Sequence, residues 1–131
     1  MGKEEFLKKR AMEFYKLAQR NFEDGFYNIS AFEIEQACQL YLKYILFKKA
    51  GDYPKVHFLT ILLEELHKAI GDIRIKEFLK ENTLAFQSME SAYLSLRYLG
   101  KEYNRDEVES LLDFADKLVK FLGEVANEKL L

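Results

Sequence analysis

Arg97 stands in an apolar run, SAYLSLRYLG, immediately before Tyr98. A guanidinium group is permanently charged and carries five N–H donors in a planar fork, which suits phosphate or carboxylate. Tyr93 lies four residues earlier, on the same side of a helix, while Tyr98 and Tyr103 add rings and hydroxyl groups close by in sequence. This combination predicts an anion or nucleotide site. The structural alternative is that Arg97 braces a dimer or pairs with a carboxylate such as Glu35 or Glu102.

A second polar group lies on the second predicted helix, which runs from about Ile29 to Ala50. At 100° per residue, Gln36, Gln39 and Lys43 fall within an arc of roughly 60°. The stripe could be ordinary solvated surface, or it could contribute to binding together with the aromatic residues nearby.

The elements that must position these residues are helices. Apolar residues recur three or four apart throughout the chain, and glycines, together with one proline, separate the periodic segments. The predicted helices cover Lys3 to Asp24, Ile29 to Ala50, a third opened by His57 and stopped by Gly71, a short piece from Asp72, Leu84 to Tyr98, and a last one after Asn104. Asn104 with Glu107 resembles a capping box. We therefore predict a single domain over residues 1–131, an all-α up-and-down bundle of four main helices plus a short additional helix.

The composition of the chain argues against several classes of protein. The chain of 131 residues has 20 Lys and Arg against 22 Asp and Glu, a formal charge of −2, which argues against a duplex-DNA-binding protein. The charged N-terminus lacks the apolar core of a signal peptide, and no uncharged run approaches the roughly 20 residues of a membrane span. A single cysteine, Cys38, permits no intrachain disulfide. We expect a cytoplasmic protein without membrane association.

Metal and nucleophile chemistry find little support. Glu64 and His67 have Glu-x-x-His spacing, but a di-iron bundle needs two such motifs and two further glutamates. Cys38 falls on the apolar arc of its helix, as a core residue would. We predict no metal, no cofactor and no catalytic residue of these types.

Three segments resemble the HEPN family of stand-alone archaeal and bacterial proteins, in order and across nearly the whole chain. AFEIEQACQLYLK (Ala31 to Lys43) is similar to the family's signature helix, and PKVHFLTIL (Pro54 to Leu62) is similar to its proline-then-histidine stretch. AYLSLRYLG (Ala92 to Gly100) resembles its tyrosine and arginine segment. The resemblance implies a bundle that commonly dimerises, with polar pockets near the arginine.

The resemblance also implies two functional modes. Some members are metal-independent ribonucleases, often toxins, with an Arg-x4–6-His motif; others bind nucleotides or accompany a minimal nucleotidyltransferase in a toxin–antitoxin-like pair. After Arg97 the motif positions hold Glu102, Tyr103 and Asn104, none of which is the imidazole that would exchange a proton near neutral pH.

We therefore expect a non-catalytic nucleotide-binding or accessory protein; a ribonuclease toxin with a degenerate motif and a purely structural homodimeric module are the alternatives. A small-residue seam at Ser88, Ser91 and Ser95, with 11 Phe and 8 Tyr in the chain, predicts a homodimer. The candidate ligand-binding residues are Arg97, Tyr98, Tyr93, Lys43, Gln36, Gln39, His57 and Tyr103.

Overall fold

The computed structural model describes residues 2–129 as a bundle of helices. The described part of the chain contains six α-helices and one π-helical segment: α1 (Lys3–Glu23), α2 (Tyr27–Ala50), α3 (Leu59–Ile70), α4 (Ile73–Glu81), α5 (Thr83–Leu94), the π segment (Ser95–Leu99) and α6 (Arg105–Ala126). No strand occurs within these residues. The predicted all-α bundle is confirmed, and the described residues form six α-helices where four main helices and one short helix were predicted.

Helix α2 is the centre of the bundle. It packs against α1, α3, α5 and α6, and its buried side chains extend over almost its whole length, from Ser30 to Leu46. Tyr41, Ile34 and Ile45 are among its fully buried side chains. Because apolar burial is the main stabilising contribution in folding, the residues of α2 are positioned by four neighbouring helices at once.

Local signals explain several helix ends. The side chain of Asn104 accepts from the backbone N–H of Glu107, and Glu107 accepts in return from the backbone N–H of Asn104, so the predicted capping box is present. Helix α3 ends at Gly71, whose φ of 68° is the left-handed conformation that glycine adopts at low cost.

The start of α3 corrects one prediction. His57 does not open the helix; residues 51–58 form no helix, and the first helical residue is Leu59. Phe58 has extended dihedrals (φ −87°, ψ 126°), so the chain turns into the helix only after His57. The side chain of His57 is therefore presented from a loop.

The small-residue seam lies on α5 but is not covered by another helix of this chain over its whole length. Ser88 and Ser91 are exposed, whereas Ser95 is buried. Between α5 and α6 there is a groove of about 630 Å³ that both exposed serines line.

Within the described residues, no helix combines the length and apolar character that crossing a bilayer requires.

Candidate functional site

Arg97 lies at the centre of the π segment. The N–H of Gly100 donates to the carbonyl oxygen of Ser95 over 2.9 Å, an i to i+5 hydrogen bond that widens the last turn after α5. Gly100 then adopts φ 65° and ends the helix. Single π turns of this kind often mark functional sites, and here the turn presents both Arg97 and Tyr98 to solvent.

Two tyrosines surround the guanidinium of Arg97. One of its N–H groups donates to the hydroxyl oxygen of Tyr93 over 3.2 Å. The guanidinium carbon lies 5.5 Å from the ring centroid of Tyr93 and 5.5 Å from that of Tyr98, within the range of cation–π attraction. Tyr93 is buried, but Tyr98 is 66% exposed, so one flank is fixed and the other can contact a ligand.

His57 joins this group from the loop before α3. Its ring stacks on Tyr93 with centroids 5.3 Å apart and an interplanar angle of 23°. Tyr93 thus contacts both the imidazole and the guanidinium. We call His57, Tyr93, Arg97 and Tyr98 the Arg97 cluster; the fold brings together four of the eight candidate ligand-binding residues.

Neither carboxylate considered as a partner for Arg97 pairs with it. Glu102 accepts from the side-chain amide of Asn28 over 2.8 Å, and Glu35 is engaged within α2. Among the described residues, Arg97 forms no ion pair, and its only hydrogen bond is to Tyr93. Most of its donors therefore remain available, and the ion pair considered with Glu35 or Glu102 is not formed.

Three more candidates belong to a separate buried network around Glu35. The amide nitrogen of Gln39 donates to both carboxylate oxygens of Glu35, over 2.9 and 2.7 Å, and the amide of Gln36 donates over 2.9 Å. The ammonium of Lys43 donates to the side-chain oxygen of Gln39 over 3.3 Å. We call Glu35, Gln36, Gln39 and Lys43 the Glu35 network. Gln39 is 2% exposed, so the predicted polar stripe is partly an interior feature.

Glu35 was not predicted as a functional residue. It is fully buried, and burial raises the pKa of its carboxyl group to about 7, against the lowering effect of Gln39, Gln36 and Lys43. Burial likewise lowers the pKa of the Lys43 ammonium. A signal was present in the sequence: Glu35 is aligned at helical spacing with Cys38 and Leu42, both fully buried, at a position where an apolar residue is usual.

Tyr103 lies apart from the Arg97 cluster. Its backbone N–H donates to the side chain of Asn28 over 2.7 Å, and the Lys101 ammonium lies 4.4 Å from its ring centroid. Its hydroxyl group is buried without a hydrogen-bond partner among the described residues. The residue lines the groove between α5 and α6, so the expected contact with Arg97 is not formed.

The structure also places the thiol of Cys38 and the Glu-x-x-His pair, Glu64 and His67. Cys38 is fully buried, and burial raises the pKa of its thiol, which keeps the group protonated and unreactive. In the part of the chain that the structure describes, no three His, Cys, Asp or Glu side chains are grouped to hold a metal ion.

The described residues form an all-α bundle that exposes an arginine beside two tyrosines, and comparison with known proteins gives the family of the chain. The family model described as HEPN domain matches residues 4–125, so the chain belongs to the HEPN family. No curated protein matches the chain. The crystal structure of TT1696 from Thermus thermophilus is similar, with a TM-score of 0.78 and 23% identity over 95% of this chain and 99% of that chain. At that identity the likeness shows the fold alone.

Proposed function

We propose that this HEPN protein binds a phosphate-bearing nucleotide at the Arg97 cluster and leaves it chemically unchanged. The observation that carries the proposal is the guanidinium of Arg97, held between two tyrosines with no carboxylate partner in the described residues. The two tyrosines hold the guanidinium in place while most of its N–H donors stay free for an anion. We propose that this anion is the ligand.

The chemistry of the cluster suits both parts of a nucleotide. The planar fork of Arg97 can donate two parallel N–H bonds to phosphate oxygens. The exposed ring of Tyr98 offers a face on which a base can stack, an interaction that tolerates any base because each has a π face. Tyr93 restricts the rotamers of Arg97 through its hydroxyl group and so reduces the entropy lost on binding.

Isothermal titration with ADP tests this proposal. We expect Arg97→Ala to weaken binding by about tenfold or more, since charge-assisted hydrogen bonds contribute roughly 1.5–3 kcal/mol. Arg97→Lys should recover little, because an ammonium lacks the fork. Arg105→Ala is the matched control, since Arg105 is another exposed arginine over an aromatic ring, that of Phe22. An Arg97→Ala variant that binds ADP like wild type, or a wild type that binds no ADP, would contradict the proposal.

A metal-independent ribonuclease is the second candidate, and the stacking of His57 on Tyr93 favours it specifically. A histidine far upstream in sequence lies against the same tyrosine as Arg97. In such a reaction Arg97 would bind the scissile phosphate while His57 accepted the proton of the attacking 2′-hydroxyl group. The bond from the 2′-oxygen to phosphorus would form as the bond from phosphorus to the 5′-oxygen broke, and water would protonate the leaving 5′-oxygen. The discriminating variant is His57→Ala, which should weaken ADP binding only severalfold under the first proposal, through loss of the stack on Tyr93, and abolish RNA cleavage under the second.

Family membership further leads us to propose a minimal nucleotidyltransferase as a partner, in a toxin–antitoxin-like pair, and homodimerisation through α5. Two features support α5 as the dimer surface: it exposes Leu84 (78%), Gln87, Ser88 and Ser91, and its one charged residue, Glu90, is turned toward α3. Interface centres are depleted in charge, and small residues allow close approach of helices. Co-purification from the native cell, with identification of bound proteins and nucleotides, tests the proposed nucleotidyltransferase and the proposed nucleotide.

A further inference from the structure

Helix α3 begins without a cap of its own. Phe58 occupies the N-cap position and has no side-chain acceptor, so the first backbone N–H groups of the helix need partners from elsewhere. Glu90, on α5, provides one. A single carboxylate oxygen of Glu90 accepts from the backbone N–H of Thr60 over 3.1 Å and from the Thr60 hydroxyl over 2.9 Å.

This cap is adjacent to the Arg97 cluster both on α5 and at the loop that leads into α3. Glu90 and Tyr93 are three residues apart on α5 and therefore neighbours on one side of that helix. Thr60 and His57 are likewise three residues apart. The Glu90–Thr60 hydrogen bonds and the Tyr93–His57 stack are thus two successive contacts between α5 and the beginning of α3.

We propose that Glu90 is a positioning residue for the Arg97 cluster, holding the start of α3 so that His57 stacks on Tyr93 and Tyr93 keeps its hydroxyl group at Arg97. Residues 51–58 form no helix, so His57 is positioned by its neighbours on both sides: Val56 packs against the core before it, and the start of α3 follows it. Leu59 is anchored by burial and Thr60 by Glu90. The functional part of this inference rests on the proposed binding function.

The geometry predicts which substitution is tolerated. Both donors of Thr60 reach the same oxygen of Glu90, and the amide oxygen of glutamine can accept both. Glu90→Gln should therefore preserve the cap, whereas Glu90→Ala removes it. Gln87→Ala, an exposed position one turn earlier on α5, is the matched control.

The experiment has two readouts on the intact chain. The first is the NMR signal of the His57 ring, which the neighbouring Tyr93 ring displaces; His67, the only other histidine, lies near the opposite end of α3 and serves as internal reference. The second is ADP affinity. We expect Glu90→Ala to move the His57 signal toward that of an unstacked histidine and to weaken ADP binding about fivefold, equivalent to ~1 kcal/mol. Glu90→Gln and Gln87→Ala should resemble wild type in both.

An unchanged His57 signal in Glu90→Ala would overturn the inference. If wild type binds ADP, an unchanged ADP affinity of Glu90→Ala would overturn it as well. If wild type binds no ADP, the proposed function is wrong, but the His57 signal still decides whether Glu90 positions the loop. Where Glu90→Ala loses its helical circular dichroism, Thr60→Val replaces it, because that change removes only the hydroxyl donor. Thr60→Val should then shift the His57 signal in the same direction by less, and no shift would contradict the role of Glu90.

Discussion

Replacing Glu35 by glutamine should stabilise the protein above neutral pH and leave its stability nearly unchanged in mild acid. The carboxyl group of Glu35 has a pKa of about 7 in the folded protein, against 4.5 for an unperturbed glutamate, and burial is the principal cause. Between these two pKa values the folded state keeps a proton that the unfolded state releases. Stability therefore falls as pH rises through this window, and the full penalty is present above pH 7.

The size of the effect follows from the same two pKa values. Each pKa unit corresponds to about 1.4 kcal/mol, so the shift from 4.5 to about 7 corresponds to ~3 kcal/mol. Glu35 is fully buried, and no discount for solvent screening applies. Glutamine keeps the shape and still accepts from Gln36 and Gln39, but its own amide needs an acceptor, so ~3 kcal/mol is the upper limit. In a chain of this size it corresponds to roughly 10 °C in Tm.

Urea unfolding of wild type and Glu35→Gln at intervals from pH 5 to pH 9 measures this difference. We expect the gap in free energy of unfolding to grow with pH and to level off above about pH 7. Gln19→Glu, on the exposed surface of α1, controls for the general effect of one carboxylate on the pH profile. A gap that is the same at pH 5 and pH 9 would show that Glu35 titrates normally and that the reasoning from its burial is wrong.

Three further predictions concern assembly, metal and RNA. Wild type should sediment as a dimer at micromolar concentration and Ser91→Lys as a monomer, because a charge would enter the uncharged face of α5. The control variant Gln19→Lys should sediment like wild type. A wild type that stays monomeric at every concentration would contradict this prediction. The purified protein should carry no stoichiometric metal and keep its thermal midpoint in chelator, and a tightly bound transition-metal ion found by elemental analysis would overturn that expectation. Single-stranded RNA should remain uncut in gel assays. Cleavage by wild type that both Arg97→Ala and His57→Ala abolish would replace the binding proposal with the ribonuclease.

Local patterns were sufficient to predict most helices, because the signals that define them lie within one turn. Asn104 and Glu107 cap each other as their spacing suggests, and Gly71 ends α3. The apolar period of α3 starts close to His57 and predicts that this residue opens the helix. Its actual position depends on the extended backbone of Phe58, which the period does not reveal.

The site was only partly predictable, for physical reasons. The Tyr93–Arg97 contact follows from an i, i+4 spacing, whereas the stack of His57 on Tyr93 joins residues far apart in sequence and exists only once α3 packs beside α5. Glutamate, the residue type at position 35, usually lies at the protein surface. In the core the carboxyl group of Glu35 accepts from two amide donors and its pKa is raised to about 7, and a hydropathy pattern shows neither property.

The central claim is that the guanidinium of Arg97 binds a nucleotide phosphate, and the NMR signals of the arginine Nε–Hε groups test it most directly. The chain has five arginines, and the signal missing from the spectrum of Arg97→Lys identifies that of Arg97. On titration with ADP, we predict that the Arg97 signal shifts progressively to saturation while the signal of Arg105 stays in place. Adenosine, which lacks phosphate, should leave the Arg97 signal nearly unshifted. An Arg97 signal that does not respond to saturating ADP, or that responds equally to adenosine, would contradict the claim.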